Sequence, residues 1–192
     1  DDMMKCNTQA NDVATSANNW KTPGATVSGR HRGGVFRSTQ YYAYCFSQVQ
    51  VDDAFKWIWK SKCTNKWKVF AWLLFADRLN TRNMLRRRQY KLEGDVYTCL
   101  LCDTPPEETV THLFFHCPFA TECWTAIGMH WHDSQCRLEL IHEGRRSWGG
   151  PLFMEIFIIA ACGVWKERNN KHFRNVMYQW NPGEAGSKMI CP

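Results

Sequence analysis

From Asp52 onward the apolar residues recur at helical spacing, and the pattern predicts a succession of short helices. Asp52 and Asp53 are suited to cap a helix through AFKWIWKS, in which Phe55, Ile58 and Trp59 fall one turn apart. A second helix is expected over Lys66–Ala76, with Phe70, Leu73 and Leu74 facing the core and Trp67 one turn earlier. Asn80 or Thr81 can cap a third, RNMLRRRQ, and the three would pack as a small bundle. Pro106 is placed in the first turn of a helix that runs through Glu107 to about Phe115, the two glutamates suiting the positive helix start. Pro118 opens PFATECWTAI and Gly128 ends it. Residues 130–150 are polar and turn-rich, and a long helix follows from Pro151 to about Phe173.

The flanks look different. Residues 1–34 are rich in Asn, Thr, Ser, Gly and Ala, and residues 176–192 read as an unstructured tail. The stretch after Val35 mixes aromatic and polar residues, and its period does not separate strand from helix. The expected organisation is a disordered segment over 1–34, a folded domain over 35–128, a linker over 129–150, a C-terminal helix over 151–175 and a tail over 176–192. The fold class is mainly α: a small helical domain with an embedded finger or knuckle between disordered N- and C-terminal tails.

Composition narrows this only a little. Hydrophobic residues make up 44% and aromatics 14% of the 192 positions, too many for a disordered basic tail. The net charge of +6 permits attraction to phosphate without establishing it. The apolar run Pro151–Trp165 is shorter than the ~20 residues a spanning helix needs, and it contains Glu155, so it reads as a core helix and no membrane contact is expected. The N-terminal residues lack the apolar run of a secretory signal, so an intracellular location, nuclear or cytoplasmic, with reduced cysteines is expected. The first residue is Asp rather than Met, and a fragment or partial gene product is expected from it.

Ten cysteines focus attention on one constellation. Cys99 and Cys102 form a Cys-x2-Cys turn, which puts two sulfurs within reach of one ion; His112 follows after nine residues and Cys117 after four more. Zinc favours four tetrahedral donors of this kind. The bland alternative is a set of buried thiols with one core histidine. His116 leaves the ligand set open, since Cys99, Cys102, His112 and His116 also make a finger-like group; Cys123 is a further thiol. Three thiolates bind zinc more tightly than two, which favours Cys117. Protein donors then fill every position, and the single ion would be structural.

These residues also carry a resemblance. The stretch FKWIWKSKCTNKWKVFAWLLFADRLNTRNMLRRR, followed by CLLC, ETVTHLFFHCPFATECW and VWKERNNKHF, resembles the zinc-binding domain of plant non-LTR (LINE-type) retrotransposon reverse transcriptases. The resemblance covers roughly Val35–Trp124 and extends more weakly to Phe173. The family's Cys, Cys, His, Cys set falls on Cys99, Cys102, His112 and Cys117. It implies a retroelement origin, contact with nucleic acid during retrotransposition, and an intact reverse transcriptase as a partner.

No Tyr/Phe-x-Asp-Asp polymerase signature is present, and no HExxH motif accompanies His112, so no enzymatic activity is expected. Arg82, Arg86, Arg87, Arg88 and Lys91 are the candidate nucleic-acid-binding residues, because guanidinium forks suit phosphate oxygens. For the tryptophans, burial in the core is favoured over stacking with bases. The competing reading is a purely structural or protein-interaction module, a zinc-stapled helical remnant whose long C-terminal helix would offer the interface.

Overall fold

A computed structural model of the chain describes residues 51–174, apart from 93, 95 and 103–105. The expected tails, and the ambiguous stretch after Val35, lie outside the described residues. Those described form a mainly helical unit: α1 (Asp53–Lys60), α2 (Asn65–Phe75), α3 (Arg82–Arg87), a π-helical turn (His112–His116), α4 (Pro118–Ala126), α5 (Arg137–Trp148) and α6 (Phe153–Arg174). Among them the one extended pairing is an isolated antiparallel bridge between Thr98 and Glu107.

Local chemistry explains several helix ends. The Asp52 carboxylate accepts from Ala54 N at 2.7 Å and from His142 Nε2 at 2.8 Å, so one side chain caps α1 and ties it to α5. Thr81 Oγ1 caps α3 by accepting from Met84 N at 3.3 Å. Pro118 occupies the first turn of α4, where its missing N–H is no loss. Past the end of α4, Gly128 takes φ +76°, a left-handed turn that costs glycine nothing.

Helix α6 is the centre of the unit and packs against α2, α4 and α5. It buries Phe153, Met154, Phe157, Ile158, Ala160, Ala161 and Val164. The Phe157 ring touches five others, those of Phe75, Phe115, Trp124, Trp131 and Phe153, and lies almost parallel to Trp124 at 5.4 Å. Such aromatic packing contributes beyond plain area burial. Among the described residues, no helix is long and apolar enough to cross a membrane.

Two expectations need correction, and a third, burial of the tryptophans, holds for most of the described ones. The linker expected over 129–150 contains α5, whose Leu138, Leu140 and Ile141 are buried and whose Arg137 Nε donates to Phe75 O at 2.7 Å. Its charged residues and mid-helix Gly144 gave it the composition of a loop. Gly144 is there because a Cβ would collide with the Trp131 ring. Next, Glu107 does not start a helix. It is held in the bridge to Thr98, helical structure begins at Val110, and the Pro106 carbonyl accepts from Cys99 N at 2.9 Å. Finally, Trp124 is fully buried and Trp57, Trp67, Trp131, Trp148 and Trp165 pack on the core, but Trp59 and Trp72 are exposed.

Candidate metal centre

Two short backbone devices bring the candidate ligands together. In the first, Tyr97–Cys99 lies antiparallel to Pro106–Glu108: Cys99 N donates to Pro106 O and Glu108 N donates to Tyr97 O, each at 2.9 Å. This clasp holds Cys99 at the mouth of the Cys-x2-Cys turn. The second is the π-helical turn. Cys117 N donates to His112 O at 2.7 Å, an i→i+5 bond. In a regular α-helix, five residues would carry Cys117 roughly 140° around the axis from His112. The wider turn brings the two back to one side. Thr109 Oγ1 steadies its start by accepting from His112 N at 3.0 Å.

The result is a tight cluster. One donor atom from each of Cys99, Cys102, His112 and Cys117 lies within 4.8 Å of the others. Cys102 Sγ is 3.2 Å from His112 Nε2 and 3.3 Å from Cys117 Sγ, while Cys99 and Cys117 sulfurs are 4.0 Å apart. In a zinc tetrahedron with Zn–S near 2.3 Å, the sulfurs stand roughly 3.8 Å apart. The donor set, three thiols and one imidazole, and its spacing therefore suit a tetrahedral zinc ion. Cys99 and Cys117 are buried, and the other two are partly buried.

The thiols already differ in proton affinity. Cys117 accepts from the Cys99 thiol, and this hydrogen bond holds its pKa well below the usual thiol range against the opposing effect of burial. The same bond, together with burial, pushes Cys99 up. Neither rival ligand belongs to the cluster. His116 Nε2 is buried with no hydrogen-bond partner, and burial lowers the pKa of its ring. Cys123 is buried in α4, and its thiol is pushed up to about 12, chiefly by desolvation.

A buried ion pair supports this cluster. Glu108 is 0% exposed and Arg168 of α6 is 3% exposed. Glu108 Oε1 accepts from Arg168 Nε at 3.1 Å, from Arg168 Nη2 at 2.8 Å and from Arg82 N at 2.9 Å. One carboxylate thus joins the metal loop, the first turn of α3 and the last third of α6. Arg168 also lies over the Trp165 ring at 5.1 Å. Sequence reading did not find this pair, since 60 positions separate its members. The only signal was indirect: VWKERNNKHF, in the weaker part of the resemblance, contains Arg168.

The candidate nucleic-acid residues are mostly engaged within the protein. Arg82 Nη1 donates to Thr98 O, and Arg86 pairs with Glu107 at 3.1 Å. Arg87 pairs with Asp77 at 2.7 Å, and Arg88 donates to Asn80. Arg86, Arg87, Arg88 and Lys91 are nonetheless exposed, whereas Arg82 is partly buried. A cavity of about 400 Å³ is lined by Arg86, Tyr97, Thr98 and Glu107.

Residues 36–124 match the family described as zinc-binding in reverse transcriptase. The matched stretch contains all four clustered ligands and α1 to α3, and it ends within α4, before α5 and α6. Neither a curated protein nor a solved structure matches the chain.

Proposed function

We propose that the chain is the zinc-binding module of a retroelement reverse transcriptase, of the plant non-LTR (LINE-type) kind. One structural zinc ion held by Cys99, Cys102, His112 and Cys117 staples the loop to the helices, and the module contacts RNA or DNA without catalysing a reaction. The observation that carries the reading is the convergence of these four donors within 4.8 Å inside the stretch that matches the family. The three thiols and the imidazole would each donate a lone pair, displacing their protons where they carry them. With four protein donors, no coordination position is left for water or substrate, so the ion's role is to hold the fold.

The exposed Arg86, Arg87, Arg88 and Lys91, and the net charge of +6, support contact with nucleic acid. A second reading is favoured by the arginine pairings. The bonds of Arg82 to Thr98 and of Arg86 to Glu107 fasten α3 to the metal loop, which is what a purely structural or protein-interaction module would need.

Nucleic-acid binding and its salt dependence separate the two readings, since both expect zinc removal to loosen the loop. On the proposed function, removal of zinc loosens residues 97–124, seen as faster hydrogen exchange there, and the loaded protein binds single-stranded RNA or DNA with log K falling as log salt rises. If the loaded protein binds no nucleic acid at low salt, the second reading stands.

A further inference from the structure

We infer that the outer face of the α1–α2 hairpin is a binding surface for single-stranded nucleic acid, with Trp59 and Trp72 as stacking platforms between lysines. This rests on the proposed contact with nucleic acid and moves its centre away from the α3 arginines.

Two observations carry it. The first is the placing of the aromatics. Trp59 is 52% and Trp72 39% exposed, and Val69 between them is exposed too, although the other described tryptophans pack on the core. Val69 and Trp72 are three residues apart on α2, and Lys68 and Trp72 four apart, so these side chains share one flank of the helix. Lys68 Nζ donates to Trp59 O at 3.1 Å, which ties that flank to the end of α1. A large indole left in water forgoes the stabilisation that burial gives its counterparts.

The second observation is charge. Lys56, Lys60, Lys62 and Lys66 are exposed on the hairpin, and Lys68 is partly so. The opposing acids are few. Asp53 pairs with Lys56, Asp52 is engaged by Ala54 N and His142, and Glu155 of α6 accepts from Lys62 N. Lys60 and Lys66 form no ion pair among the described residues, with Asp53 acting on Lys60 only at longer range, unlike Arg86 and Arg87, which are matched by Glu107 and Asp77. Flat rings among unmatched cations suit bases and phosphates together, because every base has a π-face and every linkage a charge. A purely apolar protein partner would leave those lysines to be desolvated without counter-charges.

The test uses the zinc-loaded chain and labelled oligo-uridine and oligo-thymidine, with anisotropy read over a salt series. Trp59→Ala and Trp72→Ala together should weaken binding roughly tenfold or more, with zinc content and helicity unchanged. The Trp→Phe pair should retain most of it, since a phenyl ring still stacks. Replacing Lys60, Lys62 and Lys66 by Gln should flatten the log–log salt slope by about 2. Replacing Arg86, Arg87 and Arg88 by Gln should change affinity less than the tryptophan variants do. Binding lost in the arginine variant and kept in the tryptophan variant would overturn this surface and leave the proposed function standing. No binding by wild type at low salt would overturn both. A wild type that sediments as a dimer, and a Trp59→Ala/Trp72→Ala variant that sediments as a monomer, would assign the face to a second copy of the chain and overturn the inference.

Discussion

The metal loop and the helical core around Phe157 are held together by different physics. In the core, α6 lays apolar side chains against α2, α4 and α5, and five aromatic rings surround Phe157. Burial of apolar area is enough to explain that arrangement. The described residues of 97–109 give the core only Cys99 and Leu101, with Cys102 packed against it. Their regular structure is an isolated bridge, and they carry two of the clustered donors and the buried Glu108. A short loop buries little apolar surface to offset its lost conformational entropy, and a metal held by these donors, with a buried carboxylate, would make up the difference. The two regions meet at the π-helical turn, where His112 faces the donors while Leu113, Phe114 and Phe115 enter the core.

The sharpest way to break this comparison is Phe157→Ala. It should destabilise the whole unit by about 3–5 kcal/mol in denaturant unfolding, while the folded fraction keeps its full metal stoichiometry. Loss of metal from the folded fraction would mean that loop and core are not separable.

Arg168→Met addresses the joint between the regions. It leaves Glu108 buried without its cation, for which a cost of about 3–5 kcal/mol is expected at neutral pH. Metal affinity should fall as well, because Glu108 lies between the Tyr97–Cys99 clasp and the turn bearing His112. The double variant Glu108→Leu/Arg168→Met should recover much of the stability, since a paired buried charge is often replaceable by apolar groups. Stability unchanged in Arg168→Met would remove α6 from the support of the site.

A gentler probe is pH. Protons compete with the metal for thiolate and imidazole donors, so affinity should fall as pH falls. Cys117, held low by the hydrogen bond from Cys99, loses its proton more readily than Cys99, which is pushed up by the same bond and must give up its proton on loading. Potentiometric titration should therefore record proton release when zinc is added near neutral pH. The smallest expected effect is Thr81→Ala, which removes the α3 cap for about 1 kcal/mol and leaves metal binding intact.

What the sequence made legible follows the same division. Asp52, Thr81, Pro118 and Gly128 were readable because capping and turn chemistry act over a few residues. The four clustered donors were readable because a ligand set leaves its spacing in the chain. Glu108 was misread as a helix start because its partners, Arg82 N and Arg168, are 26 and 60 positions away. Residues 137–148 passed for a linker because Gly144 and the charged residues masked three buried apolar positions, and the packing of Trp131 that explains the glycine is non-local. Periodicity also could not distinguish Trp59 and Trp72 from their buried counterparts, since both kinds recur at helical spacing.

The central claim is that Cys99, Cys102, His112 and Cys117 hold one zinc ion. It is tested most directly by the metal content of the purified chain, measured by elemental mass spectrometry in wild type, Cys99→Ser, Cys117→Ser and His116→Ala. The structure predicts about one zinc per chain in wild type and in His116→Ala, and a clear loss in both serine variants. Full zinc occupancy in Cys99→Ser and Cys117→Ser would contradict the account.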